Sequence, residues 1–269
     1  MNISSFFTGA GGLDLGFKKA GAQILYANEF DKKIWSTFEL NFTKRSNTYL
    51  DKRSITEVDV SEVPDCDGII GGPPCQSWSE AGALRGIKDK RGQLFFDFIR
   101  ILEAKQPLFF LAENVSGMLA GRHKEALKNI IGLFERSGYV VTYQLLNTSD
   151  YGIPQDRRRV IFVGYRKDLG KQFVHPAPTT FNNDQKLTLK DAIWDLRKNA
   201  LPAKEKNQSH HEKCKVPNHE YMTGGFSTIY MSRNRVRPWN GQSFTIQAGG
   251  RHAPIHPQAP EMEHVHKNK

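Results

Sequence analysis

Short apolar runs recur along the first two-thirds of the chain at the spacing expected of buried strands. They are NISSFF (2–7), QILYANE (23–29), CDGII (66–70) and LFFLAENV (108–115). The body of the last run is apolar throughout, which is typical of a strand covered on both faces of a sheet. YVVTYQLLN and VIFVGYR are predicted as a final pair of strands around the polar loop 148–159.

Between these runs the apolar residues recur at helical spacing. The clearest set is Leu94, Phe95, Phe98, Ile101 and Leu102. Another helix follows the first strand and ends at Gly21, and a third begins after Asp31, a typical N-cap residue. A helix over Leu127–Phe134 completes the series. Alternation of strands and helices predicts an α/β fold with a doubly wound, mostly parallel sheet.

The pattern changes near residue 170. HPAPTTFNND (175–184) is rich in proline and polar residues, and beyond it the regular periodicity fades. From residue 221 onward Gly, Ser, Arg and short β-favouring pieces dominate. This shift predicts two domains, a larger one over residues 1–172 and a smaller, irregular one over 173–269.

Composition narrows the setting in which the protein works. The apolar runs are far shorter than the roughly 20 residues that span a bilayer, and the first residues lack the pattern of a secretory signal. The three cysteines have no disulfide-like spacing, which favours a reducing, cytoplasmic setting. The net charge is +10, and arginines cluster at 157–159 and 233–237. This distribution indicates either a nucleic-acid partner or an ordinary solvated basic surface.

A glycine-rich turn, TGAGGLDLG, follows the first strand, and Glu29 ends the second. Glycines let the backbone approach a ligand closely, while an acid about 20 residues further on can hold ribose hydroxyls. Asp14 breaks the strict dinucleotide pattern G-x-G-x-x-G. The spacing leaves three readings open: a nicotinamide cofactor, S-adenosylmethionine, or a tight turn without a ligand.

The stretch GGPPCQSWS places Cys75 after two rigid prolines, at the carboxyl end of a predicted strand. Such a frame suits a nucleophilic thiolate at a ligand-binding edge, whereas Cys66 within its strand suits a packing role. Glu113 ends another strand and points to the same edge. Arg157 and Arg159 add positive charge there, unless they are only solvated.

In this order, FTGAGGLDLGF, GGPPCQSWS, ENV and QDRRR resemble the signature blocks of the DNA cytosine-C5 methyltransferases. The resemblance extends from the first strand to about residue 260. LFFDFIRIL, SRNRVRPWN and IHPQAP look closest to the HaeIII-type enzymes, whose target is GGCC. The resemblance implies a catalytic and cofactor-binding domain followed by a target-recognition domain.

The resemblance also implies roles for residues at matching positions. Cys75 would attack C6 of a flipped cytosine, Glu113 would share the N3 proton, and Arg159 would hold O2, with Arg157 in support. S-adenosylmethionine would be the methyl donor. The implied cofactor-binding residues are Phe7, Thr8, Gly9, Gly11, Leu13, Glu29, Phe30, Ser54, Ile55, Pro74 and Leu94.

Further implications concern the partners. Double-stranded DNA would be contacted by Gln76 and Ser77 beside the nucleophile and by Arg233, Arg235, Arg237 and Arg251 in the second domain. The spacing of His210, His211, Cys214 and His219 fits no regular metal site, so no metal is predicted. We expect a monomer in the cytoplasm at the nucleoid, paired genetically with a restriction endonuclease.

Two departures from the family pattern modify these expectations. Ser54-Ile55 stands where the family has an Asp-Ile pair, and the late arginine- and glutamine-rich block and GN-x-x-P segment are missing. Alternatives are therefore a truncated chain that binds DNA without turnover or needs a second polypeptide, an RNA-cytosine methyltransferase on the same core, and a nicotinamide-dependent enzyme using Cys75.

Overall fold

Two compact units make up the chain in the computed structural model, which describes residues 1–74, 90–180, 182–198, 201–202, 214–216, 219–221, 237–246 and 257. The first unit is Met1–Leu146 with Arg159–Pro176, and the second is Asn147–Arg158 with Ala177–Lys269. The sequence-based boundary at residues 172 and 173 stays a prediction. It differs from this division at residues 147–158, which cluster with the second unit, and at residues 173–176, which cluster with the first.

The described residues before 170 form eight strands. They are β1 (Asn2–Phe6), β2 (Gln23–Asn28), β3 (Tyr49–Asp51), β4 (Gly68–Gly71), β5 (Phe109–Val115), β6 (Tyr139–Asn147), β7 (Gln155–Asp156) and β8 (Arg158–Arg166). Seven of them form one sheet in the order β3-β2-β1-β4-β5-β8-β6. The pairs from β3 to β5 are parallel, and β8 is antiparallel to β5. The carboxyl ends of β1, β2, β4 and β5 therefore meet at one edge.

Helices cover both faces of this sheet. They are α1 (Gly12–Lys19), α2 (Lys32–Phe38), α3 (Lys44–Ser46), α4 (Lys90–Lys105) and α5 (Lys124–Arg136). Side chains alternate along a strand, so Ile3 and Phe6 of β1 face opposite sides. Phe6 joins the core formed with α4 and α5, whereas Ile3 packs with Leu13 and Phe17 of α1. The predicted doubly wound, mostly parallel fold is confirmed.

Local signals account for several element boundaries. The Asp31 side chain accepts a hydrogen bond from the Lys33 N–H at 3.0 Å and caps α2, as predicted. Gly21 follows α1 with a φ of 89°, the left-handed conformation of a helix terminator. The strand predicted at 66–70 begins later, at Gly68.

The second unit contains short elements: α6 (Leu189–Ile193), β9 (Leu201–Pro202), β10 (Glu220–Tyr221) and β11 (Ser243–Phe244). β11 pairs in parallel with β7, and β10 with β9. The Leu189 N–H at the start of α6 donates to the Gly241 carbonyl at 2.8 Å. Across the described ranges of both units, no helix is long and apolar enough to cross a membrane.

Candidate functional site

The loop after β1 is held in an unusual backbone course by three residues with positive φ. Phe7, Gly9 and Gly11 have φ angles of 54°, 57° and 85°. Between them, Thr8 donates its hydroxyl to Oδ2 of Asp14 at 2.5 Å. Asp14 lies in the first turn of α1 and is fully buried. Burial raises the pKa of its carboxyl, although the Thr8 hydrogen bond acts in the opposite direction.

Glu29, directly after β2, is fixed through all of its polar groups. Its Oε2 accepts from the Gly9 N–H at 2.8 Å, and Oε1 accepts from the Asp31 N–H at 2.7 Å. Its carbonyl accepts from the Trp35 indole at 2.7 Å, and its own N–H donates to the Asp51 carbonyl at 3.0 Å. The glycine turn and the acid are therefore one preformed unit, as the sequence spacing suggests.

This unit fits an adenosine-containing cofactor. A Cβ added at Gly9 would meet nothing within 4 Å, so the turn leaves open space on that side. A carboxylate oxygen can accept more than one hydrogen bond, so Glu29 retains acceptor capacity for ribose hydroxyls. Phe30 is 73% exposed beside it and offers a flat apolar surface for a base. The acid and the ring thus match the ribose and the base of such a cofactor.

Gly11 has a packing reason of its own. A Cβ at this position would lie 2.2 Å from Cε2 of Phe42. Phe42 sits in a π-helical turn, Glu39–Thr43, and its ring stacks on Phe38 at 4.6 Å. The Phe42 ring thus fills the space that a side chain at position 11 would need. Contact between Gly11 and the cofactor stays a prediction.

We expect Gly11→Ala to lower the free energy of unfolding by about 2–4 kcal/mol, because left-handed strain and overpacking add together. Gly9→Ala is the matched control, since it pays only about 1–2 kcal/mol of strain in open space. Urea unfolding followed by circular dichroism measures both. Equal losses for the two variants would contradict the packing role of Phe42.

The rim predicted to hold adenosine is built from a 3-10 turn and α4. Ser54 caps the turn Ile55–Glu57, with its hydroxyl accepting from the backbone and its N–H donating to Glu57. Ile55 is buried in the core, and Leu94 packs against the same core. Ser54 therefore uses its hydroxyl locally, and Ile55 contributes by packing. Pro74 is half-buried at the end of the β4 loop.

A buried acid anchors the segment between Glu29 and this rim. Asp51 accepts from the Tyr26 hydroxyl at 2.8 Å and from Nη2 of Arg53 at 2.6 Å. Burial acts to raise the pKa of Asp51, but the hydrogen bonds donated by Arg53 outweigh it and the pKa is lowered. Burial, with the Asp51 hydrogen bond, raises the pKa of Tyr26. The chain leaving β3 is therefore held by an ionised carboxylate.

The loop leading to the predicted nucleophile is tied to β5. Asn114 donates its side-chain amide to the Pro73 carbonyl at 2.9 Å in a buried contact. A Cβ built on Gly72 would lie 3.5 Å from Oε2 of Glu113, so this loop passes directly beside the acid. Cys75, Gln76 and Ser77 lie outside the described residues.

Glu113 and Arg159 form an ion pair at the end of β5. In the antiparallel pairing of β5 with β8, Val115 is opposite Arg159 and Glu113 is opposite Ile161. Glu113 and Arg159 are therefore diagonal neighbours on one face. Nε of Arg159 lies 2.6 Å from Oε1 of Glu113, and the side chains are 21% and 23% exposed. The structure thus brings together two of the four predicted catalytic residues.

The other predicted arginines belong to the second unit. Arg157 has its N–H bound to Oδ1 of Asn147 at 3.0 Å. Arg237 lies 3.9 Å over the Phe244 ring, with Nη2 3.7 Å from Asp156. The Arg237 guanidinium is thus held between an aromatic ring and a carboxylate. Arg233, Arg235 and Arg251 fall outside the described residues.

The histidine-rich segment shows no ligand set among the residues that can be described. Cys214 donates its thiol to the His219 carbonyl at 3.7 Å, a backbone contact. Within the described ranges no three His, Cys, Asp or Glu side chains are grouped to hold a metal ion. His210 and His211 lie outside those ranges.

Several positions that shape the site were missed by sequence reasoning. Trp35 and Phe42 share a helical face with Phe38, so their spacing indicates only packing. Asp14 was noted as a departure from a dinucleotide pattern rather than as a support for Thr8. Asn114 stands within the ENV block, and that position was the one usable signal for its role.

Comparisons with known proteins agree with this geometry. Residues 1–269 match the family described as C-5 cytosine-specific DNA methylase. The type II methyltransferase M.FnuDI of Fusobacterium nucleatum is 56% identical over 269 residues, which is 100% of this chain and 76% of the relative. M.NgoPII of Neisseria gonorrhoeae is 56% identical over 263 residues, covering 98% of this chain and 76% of the relative.

A solved structure shares the fold. It is a DNA modification methyltransferase encoded within a prophage (E. coli), with a TM-score of 0.67 and 25% identity, covering 96% of this chain and 84% of that one. The relatives named above are type II methyltransferases of restriction-modification systems. The chain belongs to the C-5 cytosine-specific DNA methylase family, whose members use S-adenosyl-L-methionine as the methyl donor.

Proposed function

We propose that this chain methylates C5 of a cytosine flipped out of duplex DNA, at GGCC, through a covalent bond from Cys75. It serves as the protective half of a restriction-modification system and acts as a monomer on DNA in the cytoplasm, at the nucleoid. The observation that carries the proposal is the Glu113–Arg159 ion pair, 2.6 Å between its charged atoms, beside the loop that leads into Cys75.

The chemistry requires a nucleophile and an acid on one pyrimidine ring. C5 of cytosine is a poor nucleophile until a thiolate adds to C6. As the Cys75 sulfur forms that bond, Glu113, which has taken up a proton from solvent as the cytosine enters the pocket, shares this proton with N3. The electron pair of the C5–C6 double bond then becomes available at C5. Arg159, already oriented by Glu113, donates to O2 of the same ring. Arg157 is proposed to support the pocket.

The remaining steps restore the aromatic ring. When bound, S-adenosylmethionine would supply an electrophilic methyl group from its sulfonium to the C5 electron pair, with S-adenosylhomocysteine as the leaving group. A base then removes the C5 proton, the C5–C6 double bond re-forms, and the Cys75 thiolate leaves. Glu113 takes back the N3 proton. Once that base and Glu113 release their protons to solvent, the residues of the chain are back in their starting protonation states.

The site must receive the base outside the helix, because C6 and C5 are inaccessible within the stack. Sequence reading requires contacts to the major-groove edges of the neighbouring guanines, for which arginine is best suited. The packing of Arg237 on Phe244 supports a preoriented guanidinium for such a contact. Gln76, Ser77, Arg233, Arg235 and Arg251 are proposed to contact the duplex as well. No metal takes part.

The test is methyl transfer from labelled S-adenosylmethionine to duplexes that differ only in the presence of GGCC. We expect label in GGCC DNA and none in a duplex with a scrambled site. Equal labelling of both duplexes would contradict the target. Retarded DNA without label would favour a chain that binds without turnover or needs a second polypeptide. Label only in an RNA substrate assayed in parallel would favour the RNA-cytosine methyltransferase.

A further inference from the structure

Arg100 on α4 makes three hydrogen bonds, and two of them cross from the helix to the rim of the site. Its Nη2 donates to the carbonyls of Ile55 and Val58 at 3.0 and 3.1 Å. Its Nε donates to Oδ1 of Asp97 at 2.9 Å, one turn earlier on the same helix. One guanidinium thereby joins two chain segments that are more than forty residues apart in sequence.

The segment that Arg100 holds is joined by hydrogen bonds to Glu29, the proposed ribose-binding acid, and to its neighbour Asn28. β3 ends at Asp51, whose carbonyl accepts from the Glu29 N–H at 3.0 Å. Two residues later, the Arg53 carbonyl accepts from Nδ2 of Asn28 at 2.9 Å. The turn capped by Ser54 follows at once. A displacement of this turn therefore moves groups that lie beside Glu29.

The turn is supported at its start by the Ser54 cap and more weakly at its end. Ile55–Glu57 is a single 3-10 turn, a form with poorer hydrogen-bond geometry than an α-helix. Its closing bond, from the Val58 N–H to the Ile55 carbonyl, is 3.3 Å long. Ile55 and Val58 are buried and hold it by packing. Packing fixes where the side chains lie, whereas the two hydrogen bonds from Arg100 help to fix the direction of the Ile55 and Val58 carbonyls.

We propose that Arg100 is a positioning residue for the adenosine end of the cofactor, acting by fixing the Ser54–Val58 turn against α4. The inference rests on the proposed function, because it assumes that adenosine lies between Glu29 and this turn. Arg100 acts through the turn and makes no contact with the methyl group or the pyrimidine. Its loss therefore weakens cofactor binding and leaves the maximal rate of transfer in place.

The fork geometry of arginine explains why lysine cannot replace it fully. The guanidinium presents separate N–H groups to Asp97 and to the two carbonyls at once. A lysine ammonium is a point donor on a flexible stem and cannot hold all three in the same arrangement. Arg100→Lys is therefore expected to show an intermediate loss, with Arg100→Met showing the full one.

Arg166 supplies a matched control. Its Nη1 donates to the Gln106 carbonyl at 2.6 Å and its Nε to Asp168 at 2.7 Å, which repeats the carbonyl-plus-aspartate pattern of Arg100. It ends β8 at the opposite edge of the sheet, where its N–H donates to the Leu108 carbonyl just before β5. Arg166→Met removes similar bonds without touching the site.

The experiment measures binding of labelled S-adenosylmethionine by equilibrium dialysis, with no DNA present. We expect Kd to rise about tenfold in Arg100→Met, because part of the free energy lost with its hydrogen bonds appears as weaker cofactor binding, and to rise less in Arg100→Lys. Kd should be unchanged in Arg166→Met. In the cofactor-free protein, hydrogen exchange over residues 54–63 should be faster only in the Arg100 variants.

Each outcome decides the matter. A Kd within twofold of the parent in Arg100→Met, or equal weakening in Arg166→Met, would overturn the positioning role even if the melting temperature falls. If Arg100→Met does not fold, Arg100→Lys with unchanged Kd and unchanged exchange would overturn it equally well. A parent protein that fails to bind S-adenosylmethionine at all would instead contradict the proposed function.

Discussion

Replacing Cys75 by serine is expected to lower single-turnover methylation of GGCC DNA by about 10⁴-fold or more. A serine hydroxyl is almost entirely protonated near neutral pH and cannot add to C6 without a strong base. Removal of a covalent nucleophile costs about this much in other enzymes. The measurement is rapid-quench transfer of labelled methyl at saturating enzyme, so that product release does not mask the chemical step.

Cys66→Ser is the control for this variant. Cys66 precedes β4 and packs against the core, and burial raises the pKa of its thiol. A protonated packing thiol does no chemistry, so its replacement should leave the rate within about twofold. DNA retention on a gel should be unchanged in both variants. A Cys75→Ser protein that keeps a tenth of the parent rate would remove the basis of the mechanism.

Replacing Glu113 by glutamine is expected to lower the same rate by about 10²–10⁴-fold, the range typical of a lost general acid. The amide can still face Arg159 but cannot transfer a proton to N3. Loss of the Glu113 carboxylate also removes the 2.6 Å ion pair with the Arg159 guanidinium. Part of the lost rate therefore comes from a misplaced Arg159. Single-turnover rates of the parent and the variant separate this effect from binding.

Two further variants distinguish the acid from its partner. Glu113→Asp keeps the ionisable group one methylene short and should recover part of the rate. Arg159→Lys keeps the charge but loses the fork and should weaken the positioning of the ring. Because Glu113 and Arg159 touch, the double replacement should cost less than the sum of the single free-energy losses. Additive losses, or a Glu113→Gln rate within threefold of the parent, would contradict the role assigned to the pair.

Much of the first unit is predictable from the sequence because each element carries a local signal. The helical spacing around Phe98, the N-cap at Asp31 and the acid at Glu29 depend on residues close in the chain. The structure has the predicted helix around Phe98, the Asp31 cap and the contact of Glu29 with the glycine turn, because each depends on such local signals. The ordered motifs likewise indicate the family from the sequence alone.

The parts that escaped prediction depend on distant residues. Nothing in the apolar pattern tells that β8 inserts between β5 and β6, or that Gln155 pairs with Ser243. The π-helical turn that carries Phe42 beneath Gly11 requires knowledge of both segments at once. The Arg100 contacts are of the same kind. Sequence patterns indicate which residues can act as nucleophiles, acids or hydrogen-bond donors, and the fold determines which of them come into contact.

The most direct measurement is a search for a covalent complex with a GGCC duplex whose cytosines are replaced by 5-fluorocytosine, in the presence of S-adenosylmethionine. Fluorine cannot leave C5 as the proton does, so the bond from sulfur should persist after methyl transfer. Trypsin yields residues 54–85 as one peptide containing both Cys66 and Cys75, so a Cys66→Ser background assigns the site. We expect the adduct mass on this peptide and none in Cys75→Ser. Full methylation of ordinary GGCC DNA without any trapped adduct, or an adduct that survives Cys75→Ser, would contradict the account.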